Sequence, residues 1–87
     1  MSHFKKISDI DNQSRIVLKP VMGNDNIIRG ELFSSGPYGV LPLTGDDGNT
    51  FPILESFDKA CDHVGDKGTV FVHDPDSLWA PEWPPLT

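Results

Sequence analysis

The sequence predicts a small α+β domain: an antiparallel sheet of four or five strands, one short helix packed on one face, and an extended Trp/Pro-rich C-terminal tail. Three observations lead there. Apolar runs with strand character recur between Gly-, Asn- and Asp-rich turns from residue 15 to residue 54. Residues 57–64 space their apolar side chains as a helix does. Pro81, Pro84 and Pro85 forbid regular structure near the end. With 87 residues the chain makes one domain, residues 1–76, with 1–14 forming an N-terminal arm or short helical turn. Residues 77–87 form a tail packed on the domain or on a partner.

At the start, Phe4, Ile7 and Ile10 are three apart, and Ser8 with Asp9 and Asp11 suits the beginning of a helical turn. Arg15 to Met22 reads as a strand: Ile16, Leu18, Pro20 and Met22 share one face and Val17, Lys19 and Val21 the other. Pro20 places that strand at an edge or breaks it. Gly23-Asn24-Asp25-Asn26 is a turn of residues that tolerate positive φ, and Ile27 to Phe33 is the return strand, with Gly30 as a candidate bulge. After Ser34-Ser35-Gly36-Pro37, Tyr38 to Leu43 is a short strand holding Pro42. Thr44-Gly45-Asp46-Asp47-Gly48-Asn49 is the strongest hairpin signal, with Thr50 to Leu54 as its second strand and Pro52 pointing to an edge.

Ser56 is a good N-cap residue, and Phe57, Ala60, Cys61 and Val64 then fall at i, i+3, i+4 and i+7. Asp58, Lys59, Asp62 and His63 lie outside that stripe and face solvent. Gly65 or Gly68 ends the helix, which at about nine residues depends on packing against the sheet. Thr69 to His73 is the clearest β-forming run, and it is free to insert beside an earlier strand. Asp74-Pro75-Asp76 stops it. The tail carries Leu78, Trp79, Trp83 and Leu86 on a backbone that prolines hold extended.

Charge divides the chain. From Leu32 onward there are nine carboxylates (Asp46, Asp47, Glu55, Asp58, Asp62, Asp66, Asp74, Asp76 and Glu82) against Lys59 and Lys67, while residues 1–31 are nearly balanced; the whole chain carries −6. Such an imbalance speaks to partners rather than to fold. It disfavours nucleic-acid phosphate as a direct ligand and suits a protein partner with a basic surface. Lys5, Lys6, Arg15, Lys19 and Arg29, with Phe4 or Phe33 for stacking, are a weak nucleic-acid footprint against that net charge. Apolar residues are only 37% and Gly and Pro are eight each, so the core is limited and a homodimer would add burial. One cysteine, Cys61, excludes an internal disulfide and a multi-cysteine zinc site. No apolar run has signal or transmembrane length, so a cytoplasmic, membrane-free protein is expected.

Catalytic equipment is sparse. Cys61 sits on the apolar helix stripe and reads as a core residue. Asp74 and Asp76 are adjacent loop carboxylates of a common kind, and no nucleophile elbow, phosphate loop or dinucleotide fingerprint occurs. The acidic loop fragments lack the frame of a calcium loop and His3, His63 and His73 lack zinc spacing, so neither metal nor cofactor is expected. Two candidate binding surfaces remain. One is electrostatic: Asp46, Asp47, Asp58, Asp62 and Asp66, which if convergent would imitate a phosphate array or pair with lysines and arginines. The other is aromatic: Trp79 and Trp83, which either complete a small core or anchor a partner. The Pro81–Pro84 spacing carries no flanking Arg or Lys, which discounts a polyproline ligand.

In size and composition the chain is similar to small inhibitors encoded by phages and mobile elements, anti-CRISPR proteins among them. A non-enzymatic, acidic protein-binding module that inhibits a larger, possibly nucleic-acid-handling complex is the expectation this supports. Its alternatives are an accessory or structural subunit anchored by the Trp/Pro tail, or an immunity protein that neutralises a toxin.

Overall fold

Hydrophobic alternation builds one mixed sheet, and an amphipathic helix covers one of its faces. A computed structural model describes residues 3–10, 13–43, 50–65 and 67–86. Its elements are β1 (His3–Ile7), β2 (Arg15–Met22), β3 (Ile28–Gly36), β4 (Gly39–Leu43), β5 (Thr50–Pro52), α1 (Ile53–Val64) and β6 (Thr69–His73). The lateral order is β1-β6-β2-β3-β4, with β5 also paired to β3. The class is α+β as the sequence predicts, but the sheet has six strands and is mixed rather than antiparallel.

The mixed character follows from α1. Strands β2, β3 and β4 run antiparallel in succession, joined by tight turns. The helix then carries the chain across the sheet, so β6 enters parallel to β2. It inserts between β2 and β1, and β1 is parallel to it as well. Phe4 and Ile7 therefore lie on a strand, not on the helical turn that their spacing suggests. Their backbone partners are Val70 and His73, at the other end of the chain.

Strands β4 and β5 do not pair with each other. They lie end to end along one edge of β3, β4 against Leu32–Gly36 and β5 against Arg29–Glu31. The expected 44–49 hairpin tip lies outside the described residues. The prolines fall where a missing N–H is tolerated. Pro42 and Pro52 are exposed on the outer edge. Pro20 is internal, but the β2–β6 ladder stops at Leu18 opposite Val72, before it reaches Pro20. Asn26 takes the positive φ of the β2–β3 turn, 62°.

Phe4, Leu18, Leu32, Phe51, Phe57, Ala60, Val70 and Val72 form the core between sheet and helix. The helix contributes the predicted stripe: Phe57 and Ala60 are buried, and Cys61 and Val64 pack beside them. It starts a turn earlier than Ser56, with Pro52 at the N-cap position and no side-chain cap. Ser56 is instead fully buried, and its hydroxyl donates to the Ile53 carbonyl at 2.6 Å. It presses against Gly30, where an added Cβ would lie 2.5 Å from the Ser56 Cβ. Gly30 is therefore required by the close approach of the helix rather than by a bulge; its register to Pro20 and Phe51 is regular. Gly65 ends the helix at φ 78°, donating its N–H to the Cys61 carbonyl.

Candidate functional site

Helix periodicity places one set of side chains away from the core. Leu54, Asp58 and Asp62 fall at i, i+4 and i+8 of α1 and all three are exposed, Leu54 by 66%. Glu55 adds a carboxylate in the first turn. The neighbouring cation, Lys59, lies 5.9 Å from the centroid of the Phe51 ring. The result is a ridge with an apolar end and two carboxylates, the arrangement that gives a basic partner both an anchor and a charge match. Asp46, Asp47 and Asp66, the other acidic candidates, lie outside the described residues. The structure therefore brings Asp58 and Asp62 together and leaves the wider acidic surface undrawn. Leu54 escapes a sequence reading because Thr50–Leu54 reads as strand; its signal is the i+4 spacing to Asp58.

The tail is fastened at both ends. Asp74 is only 5% exposed, and its two carboxylate oxygens accept the backbone N–H groups of Leu78 and Trp79 at 2.8 and 2.9 Å. Its backbone carbonyl accepts the Ser77 N–H, with Ser77 at φ 56°. At the far end Leu86 bridges to Phe4 in parallel, along β1. Between these points the indole N–H of Trp79 donates to the Pro84 carbonyl at 3.0 Å. The two indoles meet edge to face with centroids 5.2 Å apart, and both pack on Phe57; Trp79 also reaches Phe4. Trp79 and Trp83 are thus half-buried members of an aromatic cluster that closes the β1 end of the core.

Other chemistry is thin among the described residues. Asp74 serves the tail's backbone, and Asp76 is exposed. No three His, Cys, Asp or Glu side chains cluster as metal ligands, and no helix is long and apolar enough to cross a membrane. At the far edge of the sheet the β3–β4 hairpin presents Tyr38, Val40 and Leu41 to solvent. No family model matches this chain, and no curated protein or solved structure matches it either.

Proposed function

We propose that this chain is a non-enzymatic protein-binding module, an inhibitor that docks the outer ridge of α1 on a basic surface of a larger, nucleic-acid-handling protein, in the manner of small phage and mobile-element inhibitors such as anti-CRISPR proteins. The observation that carries the reading is the exposed Leu54–Asp58–Asp62 ridge, built on a rigid helix whose other side is locked into the core. A rigid ridge loses little conformational freedom on binding, and its carboxylates steer encounter with a cationic target. Asp46, Asp47 and Asp66 extend the same charge in sequence.

The test is capture of partners from nuclease-treated host lysate by the tagged protein and by an Asp58→Lys/Asp62→Lys variant. Both residues are exposed, so the variant should keep its melting temperature. The reading expects a protein held at low salt, released at high salt and lost to the variant. Undiminished capture by the charge-reversed protein would sink it.

A further inference from the structure

An edge strand leaves half of its main-chain N–H and C=O groups without a strand partner, and the two edges of this sheet differ in how they meet that problem. Along β1 the tail returns and Leu86 bridges to Phe4. Beyond β4 there is no further strand among the described residues. Nor does the helix cover it: α1 packs on β2, β3, β5 and β6 but not on β4. Tyr38 at the β3–β4 turn is fully exposed, Leu41 is 70% exposed, and Val40 and Pro42 are exposed beside them. This is also where the chain carries no charge. Residues 32–45 hold no Asp, Glu, Lys or Arg, in a protein of net charge −6.

The register fixes which main-chain groups of β4 point outward. Gly36 pairs with Gly39 across a two-residue turn, which makes them a hydrogen-bonded pair. Bonded and non-bonded pairs alternate along an antiparallel ladder. Leu41 and Leu43 therefore bond to β3, while Val40 and Pro42 turn their main-chain groups away from it. Pro42, which has no N–H, sits where β3 needs none. The outer edge thus offers a donor and an acceptor at Val40 and an acceptor alone at Pro42.

We propose that the β4 edge pairs with the β4 edge of a second copy of this chain, antiparallel about a two-fold axis at Val40, and so joins two sheets into one. In that register Val40 meets Val40 of the second copy, and the two exchange both hydrogen bonds. Leu41 faces Gly39, which leaves room for it. Pro42 faces Tyr38, so the missing donor falls at each outer end of the short ladder, beside a turn open to water. A strand of another protein that runs on past Pro42 loses that bond in mid-ladder. Two copies of net charge −6 repel each other elsewhere and meet here through an uncharged run. The two-fold uses both β4 edges and stops at a dimer. Tyr38 offers about 150–250 Å² and the whole patch less than the roughly 800 Å² per side of a standard interface, so the dimer is weak, with a dissociation constant on the order of 0.1 mM. The inference does not rest on the α1 ridge.

Sedimentation velocity of the full chain from about 10 μM to about 1 mM tests it. The expected result is a monomer–dimer equilibrium that strengthens with salt, because screening relieves the repulsion between like-charged copies. Val40→Lys and Val40→Glu each set two like charges opposite one another on the axis, and each should weaken dimerisation about tenfold or more. Mixed in equal amounts, the two variants should dimerise again with each other, since residue 40 meets residue 40 only about this axis. Val40 is exposed, so both variants should fold, and circular dichroism with tryptophan emission verifies it. A wild type that stays monomeric at about 1 mM overturns the proposal. Dimerisation undiminished in both single variants overturns it too, and a mixture that fails to reassociate overturns the register about Val40.

Discussion

Replacing Asp74 with alanine removes both acceptors that hold the start of the tail. The carboxylate takes two backbone N–H groups at 2.8 and 2.9 Å from a position only 5% exposed. A hydrogen bond to a charged group contributes about 1.5–3 kcal/mol. Leu78 and Trp79 are half-buried, so water recovers part of the loss after truncation and about 2–3 kcal/mol in total is a fair expectation. In a domain of this size that lowers the melting temperature by about 10–20 °C. The assay needs no label. Both tryptophans of the chain lie in the tail, so their emission reports tail docking, while far-ultraviolet circular dichroism reports the sheet and helix. Asp74→Ala should shift emission to longer wavelength and lower the melting temperature together. If emission moves while the melt stays put, the tail is a peripheral strap; if neither moves, Asp74 is not its fastening and the reasoning fails.

Two further outcomes follow from packing. Gly30→Ala drives a methyl group into Ser56 and should cost about 1–3 kcal/mol in a urea melt; Ser56→Gly should recover part of that loss, so the double variant is less destabilised than the sum of the two singles. Trp79→Ala opens the contacts to Phe4, Phe57 and Trp83 and should cost about 3 kcal/mol by the same measurement, with Trp83 emission shifting as its edge-to-face partner disappears.

Local rules sufficed where structure is local. The helix stripe of Phe57, Ala60, Cys61 and Val64, the β2–β3 turn and the β6 run can each be read from spacing and residue type. They failed where a distant partner decides. Nothing near Phe4 announces a strand, because the partner of β1 is β6. Without that pairing its apolar spacing fits a helical turn as well. Ser56 looks like an N-cap in isolation, yet β5 ends at Pro52 and the chain must turn there, which starts the helix early and buries the hydroxyl against Gly30. Of the candidate site, Asp58 and Asp62 were legible because helical periodicity sends them outward. The indoles were legible only as two alternatives, since what faces a tail is decided by the rest of the fold.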